Sequence, residues 1–232
     1  KNLPGMSGGK GGKIKIFVDE IRAKDAVLTL GTDQPGKVPL EFDIQGLVLK
    51  SVGAGQPLDF AATLVNPKPV GDIQSTGHFG PWNADSPGDT ALGGTYSFSN
   101  ADLGTLKGIG GILSSTGRYQ GSLDNIVVDG ETDTPDFQVT ISGHKVPLHT
   151  DFHAIVDGTN GDTYLQPVIA RLLHSSFTAN GYVVRNPGIP GHHIVLDVVM
   201  DHAYIQDLLQ LGVRTNPPVM NGPVTMRAKL DL

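Results

Sequence analysis

Between Gly110 and Gly143 the chain reads GGILSSTGRYQGSLDNIVVDGETDTPDFQVTISG, and no other stretch constrains the fold as tightly. Apolar residues alternate with polar ones in three runs, Leu113 to Leu123, Ile126 to Asp129 and Phe137 to Ile141, separated by segments rich in Gly, Asp and Thr. A period of two puts successive side chains on opposite faces of a strand, whereas a helix needs a period of 3.6. The intervals leave no room for a helix, so the stretch predicts a strand meander. Composition points the same way: 31 glycines and 16 prolines among 232 residues are costly inside helices and frequent at turns.

The same period recurs along the chain. Residues 1–13, rich in Gly and Lys, read as a flexible lead-in, and residues 14–232 as one β-rich domain. Strands are expected at Ile14 to Val18, Ala26 to Leu30, Leu40 to Leu49, Leu58 to Val65, Ile73 to Phe79, Tyr96 to Phe98, Val146 to Val156, Phe177 to Val184, Ile194 to Met200 and Val224 to Leu230. Pro167 marks TYLQPVIARL as an edge or broken strand. Two short helices are expected at about 103–108 and 202–211, the second capped by Asp201 and ended by Gly212. PWNADSPGDTALGG and the His192-His193 segment read as loops. Ile73 to Phe79 and Leu113 to Tyr119 share a Ser-Thr-Gly pattern, echoed loosely at Phe177 to Val183, as a repeated sheet unit would. The fold class is therefore all-β and mainly antiparallel.

With 17 basic against 23 acidic residues and a net charge of -6, the chain lacks the basic surface that nucleic acid requires. It has no cysteine for thiolate catalysis or thiolate-bound zinc. Gly31 to Lys37 fits GxxxxGK, but Val38 stands where a phosphate loop needs Ser or Thr, and the next residues read as a strand, so it is a hairpin turn. His149, Asp151 and His153 would share one strand face and offer a row of metal ligands; that face is also where solvated polar residues belong, opposite Leu148, Phe152 and Ala154. The segments Asp129 to Asp136 and Asp157 to Asp162 carry oxygen donors without the order of a calcium-binding loop. No nucleophile elbow is present. The reading is a non-enzymatic protein with no cofactor and no resident metal.

What the strands do offer is an apolar phase: Phe137, Val139 and Ile141; Leu148, Phe152, Ala154 and Val156; Ile194, Leu196 and Val198; Val224, Met226 and Leu230. Covered by another layer these residues form an ordinary core; left as a trough they would take up acyl chains, each buried CH₂ contributing about 0.8 kcal/mol. The alternative is a closed β-sandwich, an adhesin-like or ligand-binding module acting through surface loops such as Pro81 to Gly94.

The segments FSNADLGTLKGIGGILSSTGRYQGSLDNIVVDGETDTPDF (Phe98 to Phe137) and DFHAIVDGTNGDTYLQP (Asp151 to Pro167) resemble the AsmA family of bacterial envelope proteins, in their AsmA-like C-terminal regions. The helix-then-strand ending, DHAYIQDLLQLGV to VTMRAKLDL, is of the same style. The resemblance implies an elongated, strongly curved β-sheet groove with an apolar inner face, of the kind attributed to TamB-like and other bridge-like lipid transfer proteins. It further implies a periplasmic location, phospholipid or other lipid acyl chains as partner, and a role in outer-membrane biogenesis. Inner-membrane anchoring would come through parts of a longer parent chain, an expectation that fits an opening on KNLPGMSGGKGGK without a leading methionine.

Overall fold

The computed structural model describes residues 17–30, 40–53, 55–185 and 192–231. These form β1 (Phe17–Leu30), β2 (Leu40–Gly53), β3 (Leu58–Pro67), β4 (Val70–Phe79), β5 (Ala91–Asp102), β6 (Ile109–Gly110), β7 (Ile112–Ser122), β8 (Asn125–Val139), β9 (Val146–Val156), β10 (Thr163–Leu172), β11 (Ser175–Arg185), β12 (His192–Tyr204) and β13 (Pro223–Asp231). One α-helix, α1 (Ile205–Gly212), stands between β12 and β13. Every strand pairs antiparallel with its neighbour in sequence, β1 to β5 and then β7 to β13, and the two-residue β6 pairs beside β8. The strands β1 and β13 are edges, so among the described residues the sheet is open, not two sheets packed face to face.

Several local expectations change. Asp129 to Asp136 is no turn: β8 runs unbroken from Asn125 to Val139, because β7 and β9 pair with it on both sides and give its polar residues cross-strand partners. β8 ends at Val139, which leaves Ile141 in the turn to β9 instead of on a strand. β10 is an interior strand, and Pro167 sits at a bulge between Leu165 and Val168, where a missing N–H does not break the ladder. The 103–108 helix is a single 3₁₀ turn, Leu103–Thr105, whose Gly104 N–H donates to Asp102 Oδ1 at 2.8 Å; Gly104 and Gly108 disfavour more. His192 and His193 belong to β12, and Asp201 and His202 extend it, so Asp201 caps nothing. The helix starts at Ile205 without a side-chain cap; instead Ile205 N–H donates to Gly222 O at 2.9 Å and Gly222 N–H donates to Gln206 Oε1 at 3.0 Å, which ties its first turn to the entrance of β13. Residues 1–13 and the Gly31 to Lys37 turn lie outside the described residues.

Register shifts occur in β2 (Ile44/Gly46), β5 (Phe98/Ala101), β8 (Thr134/Phe137), β10 (Leu165/Val168) and β12 (Met200/Ala203). An extra residue on one strand bends it and increases its twist. Four of the five, near the start of β2 and near the ends of β5, β8 and β12, lie toward the same rim of the sheet, so the bends add along one side and curve the sheet.

The core is local. Ala179, Val198, Met200 and Ala203 form its buried centre, flanked by Val168, Phe177, Leu196, Val224, Met226 and Ala228 from the sheet and by Leu208 from α1. The helix is held there by Asp207, buried at 2 % exposure, whose carboxylate accepts from Ser175 Oγ at 2.7 Å and from His174 N–H at 3.0 Å. His144 Nδ1 lies 3.0 Å from Gln210 O and Arg214 Nε donates to Ile141 O at 3.0 Å, pinning the helix and its exit to the β8–β9 turn.

Candidate functional site

Residues directly opposite one another across a ladder share a face, so the register assigns side chains to faces through all twelve long strands. One row reads Ile21, Leu49, Phe60, Gly77, Gly94, Tyr119, Val128, Ala154, Leu165, Gly181, Leu196, Leu230. The next on the same face reads Ala23, Leu47, Ala62, Ser75, Tyr96, Gly117, Gly130, Phe152, Val168, Ala179, Val198, Ala228. Neither row contains a charged residue. The opposite face carries Arg22, Arg118, Asp129, His153, Asp197 and Lys229 in the row between them.

Cover over the apolar face is partial. α1 packs at the β10 to β13 end, where Ala170, Leu172 and Val198 are buried, and also reaches β8. Over β3 to β9 no second sheet packs among the described residues, and Phe60, Leu64, Ile73, Phe79, Leu92, Phe98 and Phe152 remain half-buried. Among the described side chains no Phe, Tyr or Trp is fully buried. Where the face meets the β2–β3 and β4–β5 connections, Val18, Val52, Leu58, Phe79 and Trp82 line a concavity of about 360 Å³, with Trp82 stacked on Phe79 at 6.1 Å.

The centre of the face is paved by aromatic rings lying over glycines. A Cβ at Gly117 would stand 2.6 Å from the Tyr96 ring, and one at Gly130 would meet the Tyr96 hydroxyl at 2.7 Å and Phe152 at 2.8 Å. The Tyr119 hydroxyl covers Gly94 in the same way, at 2.7 Å. Each phenol ends on a serine: Tyr96 on Ser115 Oγ at 3.0 Å and Tyr119 on Ser75 Oγ at 2.7 Å, so the rings lie flat without a bare polar group. Burial pushes both phenol pKa values up, partly offset by these hydrogen bonds. The repeated Ser-Thr-Gly pattern thus has a use in part, since Ser75 on β4 bonds the Tyr119 phenol while Ser115 and Gly117 on β7 receive Tyr96.

The outer face holds the titratable groups. On β8 and β9 three rungs stand side by side: Asp133 with His149, Glu131 with Asp151 and Asp129 with His153. His149 Nδ1 is 2.7 Å from Asp133 and His153 Nδ1 is 2.8 Å from Asp129, while Arg171 reaches Asp151 at 3.2 Å and Arg118 reaches Asp129 at 3.5 Å. The bond to Asp133 holds the His149 pKa above its ordinary value, and the bond to His153 holds the Asp129 carboxyl below its own. Glu131, His149 and Asp151 bring ligand atoms within 4.8 Å of one another, a set that suits a divalent cation. His153, expected to complete a row with His149 and Asp151, belongs to the separate rung with Asp129. In the Asp157 to Asp162 loop the donors serve the turn itself: Asp157 accepts from Thr159 N–H at 2.8 Å and from Asn160 Nδ2 at 2.7 Å, and Asn160 Oδ1 accepts from Asp162 N–H at 2.7 Å.

Of the candidate wall residues, Phe137, Val139, Leu148, Phe152, Ala154, Val156, Ile194, Leu196, Val198, Val224, Met226 and Leu230 fall on the one apolar face. Ile141 stands apart at the β8–β9 turn, and Val198, Val224 and Met226 pack in the helix-covered core. Sequence reasoning missed the β2 to β5 part of the face and the tyrosine rings; Phe60, Phe79, Leu92 and Phe98 carried the alternation that would have found the former. Comparison with protein-family models, with curated proteins and with solved structures returns no match for this chain.

Proposed function

We propose that this chain is a lipid-binding segment of a bacterial envelope protein, in which the uncovered apolar face of the curved sheet shields or conducts the acyl chains of phospholipid between membranes. The observation that carries the reading is the pair of uncharged rows crossing twelve strands, with no second sheet over β3 to β9 among the described residues and α1 reaching only β8 there. An apolar sheet face is normally covered by another layer; here an acyl chain would supply that cover at about 0.8 kcal/mol per buried CH₂. The paved centre suits such a ligand, because aromatic rings over glycine leave a smooth apolar floor with no unpaired donor. The resemblance of Phe98 to Phe137 and of Asp151 to Pro167 to AsmA-like regions supplies the periplasmic setting and the role in outer-membrane biogenesis. The reading assigns no catalytic residue and no cofactor.

The purified protein is expected to carry phospholipid visible by native mass spectrometry and, once delipidated, to take up a fluorescent phospholipid presented as monomer. Phe152→Asp on the apolar face should abolish uptake, whereas Ile169→Asp, exposed on the outer face, should leave it unchanged. Lipid-free protein that takes up no probe, or equal loss in both variants, sinks the proposal.

A further inference from the structure

In a meander the connections alternate between two rims, and here the rims differ in charge and in polarity. On the rim holding the β3–β4, β5–β7, β8–β9, β10–β11 and β12–β13 connections, the described linking residues include Lys68, Lys107, Lys145 and Arg214 against one acid, Asp207, which is buried under α1. On the other rim, the β4–β5, β7–β8 and β9–β10 connections supply Asp85, Asp89, Asp124, Asp157 and Asp162, with no Lys or Arg in the described links. Two more acids stand at the strand ends of the basic rim, Asp136, paired with Lys145 at 3.4 Å, and Asp102, which accepts from Gly104 N–H. For a chain of net charge -6, a rim with basic links is a segregation the composition does not require.

The same rim also displays bare aliphatic side chains. Val219 at 74 % exposure and Ile141 at 70 % are the two most exposed large hydrophobic residues described, and Met220 (59 %) adjoins the first. Val70 and Ile112 are exposed at the starts of β4 and β7, beside the links that carry Lys68 and Lys107. Arg214 bonds the Ile141 carbonyl, so the β8–β9 and β12–β13 tips form one surface on which cation and aliphatic side chain alternate.

We infer that this basic rim docks on an anionic lipid bilayer, with Val219, Met220 and Ile141 entering the interfacial layer while the acidic rim faces away. Lysines near an anionic surface each contribute about 1 kcal/mol, and exposed aliphatic tips add apolar transfer. The repulsion of the five opposite aspartates selects the orientation. The inference stands on the rims, not on the trough, so either can fail while the other stands.

The test is co-sedimentation of the intact chain with vesicles of phosphatidylcholine alone and of phosphatidylcholine with phosphatidylglycerol. Binding is expected only to the anionic vesicles and should weaken steeply as salt rises. Lys68→Ala with Lys107→Ala should lower it roughly fivefold per charge removed. Val219→Ser with Met220→Ser should weaken it while preserving the salt dependence, and Asp85→Ala with Asp89→Ala should leave it within about twofold. All positions lie outside the core, and unchanged thermal melts confirm that the variants fold. Equal binding to neutral vesicles, salt-independent binding, or retention by the lysine variant would each overturn the inference. Uptake of monomeric lipid, measured without vesicles, reports on the trough separately.

Discussion

Strands β10 to β13 and strands β3 to β9 carry the same alternation of apolar and polar residues, yet they reach different degrees of burial. In the first region Ala170 and Leu172 are buried, and Val198 and Met200 are sealed by Leu208 of α1, a helix that Asp207 locks to the β10–β11 turn. In the second, Ala101, Val146 and Ala154 are buried and α1 reaches β8, but Phe60, Leu92, Phe98 and Phe152 stay half-buried with no second sheet above them, and Tyr96 and Tyr119 lie over glycines at the centre. Alternation decides which side of a sheet is apolar; whether that side becomes a core depends on what is placed opposite. One molecule here shows both outcomes side by side.

The sharpest way to break this comparison is truncation in each region. Leu172→Ala should cost about 2–5 kcal/mol in urea unfolding, as a filled site that cannot collapse. Leu92→Ala on the open face should cost about 1 kcal/mol or less, because much of its surface already meets solvent. Equal losses would erase the distinction. Next in size, Asp207→Ala leaves Ser175 Oγ and the His174 N–H without their acceptor and should cost about 1–3 kcal/mol. The same variant should raise binding of an apolar dye as α1 loosens, and a dye signal that stays at the level of the parent would argue that the helix is not the cover.

Gly117→Val probes the paving. A Cβ there would stand 2.5 Å from the Asp129 carbonyl oxygen and 2.6 Å from the Tyr96 ring, so the variant should lose about 1–3 kcal/mol in urea unfolding, and a variant as stable as the parent would argue that neither contact is tight. The smallest expected effect is on the outer face, from His149. Its pKa is held above 6.5, mainly by the hydrogen bond to Asp133. A raised folded-state pKa means the contribution is fully present below the unfolded value and is lost as pH rises through the folded one. It should amount to less than about 1 kcal/mol, as exposed pairs do. An NMR titration should place the His149 midpoint above 6.5, and Asp133→Asn should bring it back down; a midpoint unmoved by that change would separate the two residues.

Much of the fold was legible from the period of two. Val146 to Val156, Phe177 to Val184 and Val224 to Leu230 each became strands close to their expected limits, since strand pairing and one-sided burial both follow from local alternation. Asp129 to Asp136 misled, because Gly, Asp and Thr favour turns in isolation. In the sheet the same carboxylates meet His149, His153 and Arg118 across the ladders and stay extended. Of the candidate wall, Leu148, Phe152 and Ala154 were visible as an apolar phase. Ile141 was not separable from them, since the chain leaves the ladder at Val139, for a turn that Arg214, from 73 residues away, helps to hold. The His149, Asp151 and His153 row was correctly placed on one face, but the choice of partners came from β8, and only the register says that Glu131 and not His153 stands by the other two.

The amino-acid sequence by itself determined that this chain makes antiparallel strands with one apolar phase, because the pleat turns a two-residue period directly into a face. The tertiary structure alone decided that β1 and β13 do not meet, that α1 packs at the β10 to β13 end of the sheet and reaches β8, and that Tyr96 and Tyr119 pave the centre. These depend on contacts between residues distant in the chain, whose energies come from surfaces brought together and not from the local pattern that each strand carries. The segregation of Lys68, Lys107, Lys145 and Arg214 from five aspartates belongs to the same class, for it exists only once the meander sends alternate connections to opposite rims.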